Sequence, residues 1–231
     1  MTSKSAKIPR AEHPRPQFER EDWINLNGTW SFDFDFGKSG LERKFQESKG
    51  FSQKIEVPFC PESKLSGVQH TDFIECLWYQ REIKIPSAWA EKRVILHFGA
   101  VDYESDVFID GKLAGRHWGG MCSFEFDITR LVKAGAAHSL VVRAYDLTDR
   151  TSLGSDAAGN DFGAQPVGKQ CVQFKSCGCS YTRTTGIWQT VWLEAANRFG
   201  LESCQIIPDL DGGKFIFIPK FREVKPGLKF R

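Results

Sequence analysis

The chain has 231 residues, a formal net charge of +2, 41% hydrophobic residues and 26% charged ones. That is the composition of an ordinary soluble protein, with material for one large domain or one domain and part of another. It excludes a dedicated nucleic-acid binder, since the basic residues are scattered rather than striped, and no apolar run approaches the length of a membrane span.

Residues 1–17 read as an extended arm: Pro9, Pro14 and Pro16 disfavour regular structure. Basic residues occur there without an apolar stretch behind them, so the arm is not a signal peptide. If the gene starts here, a cytoplasmic protein is expected. From Phe18 onward period-two alternation dominates. "GTWSFDFDFG" places Trp30, Phe32, Phe34 and Phe36 on one face, with Ser31, Asp33 and Asp35 on the other. "LWYQREIKIP" is a strand closed by Pro86, and "RVILHFG" alternates Val94, Leu96 and Phe98. "DVFIDG" points Val107 and Ile109 inward and runs into a turn at Asp110-Gly111. "CSFEFDI" alternates Phe124, Phe126 and Ile128 with Glu125 and Asp127.

The stretch "DITRLVKAG" is the best helical candidate, one or two turns ended by Gly135. "HSLVVRAY" and "GIWQTVWLE" complete the strand set. Among the tryptophans, Trp30, Trp78, Trp188 and Trp192 read as strand packing residues, and Trp23 and Trp89 as satellite contacts. So many short strands between turn signals predict a β-sandwich or barrel.

Two stretches break this rhythm. Asp146 to Ser180 is glycine-rich and polar, with strand character only in "KQCVQF". A long irregular segment inside a compact domain is usually functional or mobile, and mobility is expected from Leu153 to Ala164. After Gly200 the chain restarts as "LESCQIIPDLDGGKFIFIPKF", two strands around Asp211-Gly212-Gly213. Alternating Phe215, Phe217 and Phe221 with Ile216 and Ile218 makes both faces of this hairpin apolar. Self-association through residues 203–231 is expected from such a segment.

Seven cysteines without framework spacing read as reduced thiols. Cys171, Cys177 and Cys179 cluster, but Cys177-Gly-Cys179 misses the pair spacing of structural zinc sites. The histidines (His13, His70, His97, His117 and His138) lack the spacing of a metal-binding cupin. Neither a metal nor another cofactor is expected.

The ordered series "NLNGTWSF", "VPFCPES", "LWYQREIKIP", "HFGAVDYESDVFIDGKLAGRHWGG", "SFEFDIT" and "TTGIWQTVWLE" resembles the amino-terminal sugar-binding domain of glycoside hydrolase family 2. This is the family of β-galactosidases and β-glucuronidases. The resemblance implies an all-β chain with a jelly-roll β-sandwich of galactose-binding-like type over residues 18–200. Residues 201–231 resemble the first strands of an immunoglobulin-like domain that is incomplete here.

The resemblance also implies a partner domain. In the family a TIM barrel carries two glutamates, and retaining glycosidases hold such carboxyl groups about 5–5.5 Å apart. The acid/base of the family lies in an Asn-Glu pair, and no Asn-Glu dipeptide occurs in this chain. A non-catalytic domain of a β-glycoside hydrolase is therefore expected, inactive alone, contacting carbohydrate and the barrel. The alternative is a free-standing lectin-like jelly roll. Asp102, Glu104 and Asp106, at alternate positions of one strand, read as a solvated face rather than an acid pair.

The candidate sugar contacts are Arg183, Ser180, Trp118, His117, Lys169 and Gln170. Sugar sites combine an aromatic platform with fixed polar groups. Trp118 and His117 lie with Arg116 at a hairpin end, where Trp118 serves either docking or cover of the sandwich edge. Family enzymes place an aspartate six residues before the glycine of "TTGIW"; here Ser180 stands there. Arg183 is retained, while Phe59 and Cys60 follow "VP" in place of the expected asparagine. The resemblance implies β-glycosides such as β-galactosides or β-glucuronides as substrates of the whole enzyme, and these departures weaken the case for a plain galactoside or glucuronide. Lys169 and Gln170, with Gln173, are expected near the sugar or the barrel rim.

Overall fold

The computed structural model describes residues 8–146, 165–171 and 173–227. The stretch expected to be mobile, Leu153 to Ala164, lies outside them.

Two antiparallel sheets face each other. The four-stranded sheet runs, edge to edge, β1 (Trp23–Asn25), β12 (Val191–Ala196), β5 (Arg93–Phe98) and β9 (Phe124–Asp127). The six-stranded sheet runs β3 (Gln53–Val57), β2 (Gly28–Phe34), β4 (Cys76–Lys84), β10 (Ala137–Tyr145), β7 (Glu104–Ile109) and β8 (Lys112–Trp118). The chain repeatedly crosses between the sheets, as a jelly roll requires. A short pair, β6 (Val101–Asp102) and β11 (Gly186–Ile187), closes one end of the sandwich, and β13 (Leu201–Asp209) pairs with β14 (Lys214–Phe221) in a separate hairpin.

Alternation decides which side chains enter the core. Trp30 and Phe32 of β2, Leu77 and Tyr79 of β4, Val107 and Ile109 of β7, and Leu140 and Val142 of β10 meet Val94, Leu96 and Phe98 of β5 and Val191 and Leu193 of β12. The turn from β7 to β8 is tight because Asp110 (φ 48°) and Gly111 (φ 78°) both occupy the left-handed region a two-residue hairpin needs. A second, smaller core lies on the outer side of the six-stranded sheet, where Trp78, Phe108 and Val141 pack under Phe45 and Phe51.

Five local expectations are corrected. Phe36 does not continue the apolar face of β2; it is 68% exposed. The strand ends because the chain turns at Asp35, whose buried carboxylate accepts from Ser39 N (3.1 Å), Gly40 N (2.8 Å) and Trp78 Nε1 (3.0 Å). "DITRLVKAG" forms turns, not helix: Asp127 accepts from Thr129 N (3.0 Å), and Gly135 (φ 79°) donates to Ile85 O on the way into β10. Trp188 follows β11 rather than lying in a strand, and Trp89 belongs to the main core rather than a satellite contact. Among the described residues of "KQCVQF" there is one isolated bridge, Gln170 to Tyr181, and no strand.

The arm lies against the outer face of the four-stranded sheet from Pro9 onward, its Pro9 and Arg10 carbonyls accepting from Asn27 (3.0 Å) and Asn25 (2.8 Å) and His13 packing on Trp23, over a buried charged cluster. Glu194 of β12 is 3.4 Å from His13 Nε2, 2.8 Å from Arg20 Nε and 3.4 Å from His97 Nε2. His97 Nδ1 is 3.1 Å from Glu125, which also receives Arg222 at 3.1 Å. Hydrogen bonding to His97, against the cost of burial, brings the Glu125 carboxyl down to about 2. Burial pushes Glu194 up, but His97, Trp192 and Arg20 outweigh it and hold that carboxyl at about 2 as well.

Candidate functional site

The end of the sandwich closed by β6 and β11 gathers most of the chemistry-bearing side chains outside that cluster. Gly186 begins β11 with φ 72°, a conformation that admits the close approach of Tyr79 and Leu77 to its backbone. Just before it, Thr185 turns inward and donates from Oγ1 to Glu62 Oε1 at 2.7 Å, tying the loop after β3 to β11. Burial pushes the Glu62 carboxyl above its ordinary value, and the neighbouring Cys60 thiol is pushed up to about 12 by burial and by Glu62. The peptide bonds Val57–Pro58 and Asp102–Tyr103 in this region are cis.

Asp102 and Asp106 are both buried, which corrects the expectation of a solvated acidic face. The strand is interrupted between Asp102 and Glu104, so the expected alternation breaks there. Asp102 Oδ2 accepts from Gln170 Nε2 at 2.7 Å, and Gln170 Oε1 accepts from Thr184 N at 2.8 Å. Asp106 instead receives Arg116 at 2.9 Å and Arg143 at 3.1 Å. Buried carboxylates need such partners, because an unpaired buried charge is strongly destabilising.

Above the Asp102–Gln170 pair lies a shallow cavity of about 210 Å³. Trp188 and Met121 supply apolar wall, and Lys169, Gln170, Tyr181 and Thr184 supply polar groups. Trp188 Nε1 donates to Gly120 O at 2.8 Å, fixing the indole plane. Its ring also borders a wider cleft of about 550 Å³ reaching Phe59, Gln189, Arg10 and Arg15. An aromatic face beside the held Gln170 amide, with hydroxyl and ammonium groups around it, suits a ligand that presents C–H faces and hydroxyls.

Of the six sequence-derived candidates, Lys169 and Gln170 line the cavity. Ser180 is half-buried in the adjacent turn, where its N–H donates to Cys177 O at 2.9 Å. Arg183 is buried with its guanidinium turned away to backbone: it donates to Cys171 O (3.2 Å), Gln173 O (2.5 Å) and Thr71 O. It also stacks over Phe73 at 4.2 Å, so its contribution runs through the loop it anchors. His117 stacks on Phe124 at 4.0 Å and meets Gly119 O at 3.2 Å; burial lowers its pKa. Trp118 is 58% exposed, and neither it nor His117 lines the cavity.

Trp188, Tyr181, Thr184, Met121 and Asp102 were missed as site residues. For Trp188 a signal existed, since it directly follows the "TTGI" motif. Asp102 carried none, because its burial depends on the break after β6. Among the described residues no group of three or more His, Cys, Asp or Glu side chains could hold a metal ion. Among them, too, no helix is long and apolar enough to cross a membrane.

Residues 24–194 match the sugar binding domain of glycosyl hydrolases family 2. The β-glucuronidase of Canis lupus familiaris is 32% identical over 139 residues, which is 55% of this chain and 21% of that protein. The β-galactosidase of Thermoanaerobacter pseudethanolicus is 24% identical over 196 residues, 81% of this chain and 22% of that protein. The chain thus spans about a fifth of the length of these relatives. In fold it is similar to the β-glucuronidase from Ruminococcus gnavus solved in complex with D-glucaro-δ-lactam, with TM-score 0.67 at 20% identity over 88% of this chain and 34% of that one.

Proposed function

Because this chain belongs to glycosyl hydrolases family 2, over whose sugar binding domain residues 24–194 extend, we propose that it serves a β-glycosidase as a non-catalytic domain bordering the active site. The β-glucuronidases and β-galactosidase among its relatives support a β-glycoside as the substrate class. The observation that carries the role is the cavity walled by Trp188 and floored by the Asp102–Gln170 pair. One side of a sugar could rest on the indole while Gln170, Lys169 and Thr184 meet its hydroxyls. The other side would be completed by a catalytic barrel elsewhere in the enzyme. Ser180 and the exposed Trp118 belong to the rim facing that barrel, and Arg183 shapes the rim from beneath. Residues 201–231 fit the opening hairpin of an immunoglobulin-like domain.

Two measurements test this on the chain as it is. Incubation with chromogenic β-glucuronide, β-galactoside and β-mannoside should give no turnover. Calorimetry should find monosaccharide binding no tighter than about millimolar, roughly −4 kcal/mol, since half the pocket belongs to another domain. Turnover that survives purification and disappears on substituting a residue of this chain overturns the non-catalytic reading. Micromolar binding of a simple sugar overturns the shared pocket.

A further inference from the structure

Beside the cavity, the turn from Cys171 to Ser180 holds three thiols that the sugar-binding role does not use. Two backbone bridges set their positions. Gln170 pairs with Tyr181, with Cys171 N donating to Tyr181 O at 2.6 Å, and Cys177 pairs with Ser180 across a turn in which Gly178 has φ 56°. The bridges share the Ser180–Tyr181 segment, so they bring the two cysteines together although six positions separate them. Cys171 Sγ and Cys177 Sγ are 3.4 Å apart. Cys171 is buried, whereas Cys177 and its neighbours from Gln173 to Cys179 are exposed.

We propose that Cys171 and Cys177 form a reversible disulfide through exchange with a small-molecule disulfide of the glutathione class. A disulfide needs its sulfurs about 2.05 Å apart, so the pair must close by roughly 1.4 Å. The exposed 173–177 segment can make that adjustment without disturbing a sandwich strand. Exchange begins at the accessible sulfur: hydrogen bonding to Cys171 raises the Cys177 thiol, so the small thiolate fraction of this exposed side chain attacks one sulfur of the oxidant and expels one glutathione thiolate. Cys171 then attacks Cys177 Sγ and expels the second. One S–S bond forms as one breaks, the electron pair leaves on the two glutathiones, and these take up the two thiol protons. A hydrogen bond from the Gln173 backbone lowers the Cys171 pKa, with Arg183 adding to it, which favours the resolving role.

Oxidation would hold the turn closed beneath the rim. The carbonyls of Cys171 and Gln173 that receive Arg183 lie in this turn, and Ser176 Oγ meets Thr182 Oγ1 at 3.2 Å. The bond therefore couples redox state to the rigidity of the segment beside Lys169 and Gln170.

The sequence permits a direct test on the folded full chain. Trypsin cuts after Lys169, Lys175 and Arg183, placing Cys171 in "QCVQFK" and both Cys177 and Cys179 in "SCGCSYTR". The chain is treated with glutathione disulfide, unfolded, alkylated and digested without reductant. The expected product is the two peptides joined, with the count of alkylated thiols two below the seven of the reduced chain. Dithiothreitol should release them, Cys179→Ser should keep the link, and Cys177→Ser should abolish it. Three outcomes overturn the proposal: a bond confined to Cys177 and Cys179, a stable glutathione adduct on Cys177 with Cys171 still alkylatable, or a link that persists in Cys177→Ser.

Discussion

Replacing Glu194 by glutamine keeps the shape of the side chain and removes its charge from the buried cluster under the arm. The carboxyl is held at about 2 against an ordinary value of 4.5, despite burial that pushes it up. That difference corresponds to about 3 kcal/mol of stability at neutral pH. The figure agrees with the roughly 3–5 kcal/mol lost when one partner of a buried ion pair is removed. A carboxyl whose folded pKa lies below its unfolded one stabilises the protein above the unfolded value and loses that contribution as the pH falls through the folded one. The Glu194 contribution is therefore complete above about pH 5 and fades toward pH 2. Urea unfolding followed by tryptophan fluorescence at pH 7 and pH 3 measures both ends of this window. Glu194→Gln should be about 3 kcal/mol less stable than the wild type at pH 7 and distinctly closer to it at pH 3. Glu125 remains in the variant, so some acid sensitivity persists. A difference below 1 kcal/mol at pH 7, or an equal difference at both pH values, would refute the argument that charge pairing fixes the arm.

Gly186→Ala should cost about 2–4 kcal/mol, because φ 72° is strained for alanine and the new methyl meets Tyr79 Oη and Leu77. Calorimetry should register a fall of roughly 5–15 °C in Tm, and an unchanged Tm would contradict the close packing of β11 on β4. In the β13–β14 hairpin, Phe215 is 65% exposed and Phe217 58%, with Ile216 and Ile218 also in water. Light scattering should find dimers or larger species that become monomers when residues 203–231 are deleted; a monomer in both cases removes the hairpin as a self-association surface.

Sequence alone determined the class of fold and the family. Alternation is a local property: Val94, Leu96 and Phe98 share a face whatever they meet, and the Asp110-Gly111 turn is dictated by backbone preference. A string of motifs in order is likewise readable without coordinates. The expected identity of Ser180 and Arg183 as motif positions came from the same source, but not what their side chains do. Tertiary structure decided those questions, because burial and partnership depend on segments distant in the chain. Arg183 meets Thr71 from more than a hundred residues away, and Asp102 is covered by Gln170 from sixty-eight positions on. Phe36, by contrast, leaves the core through a local turn whose carboxylate, Asp35, is held by Trp78 of another strand. Trp188 read as one more strand tryptophan, and only its bond to Gly120 places it between two cavities. Period-two patterning reports which face of a strand a residue takes. What covers that face is set by how the sheets and loops close over it, and no local pattern encodes that.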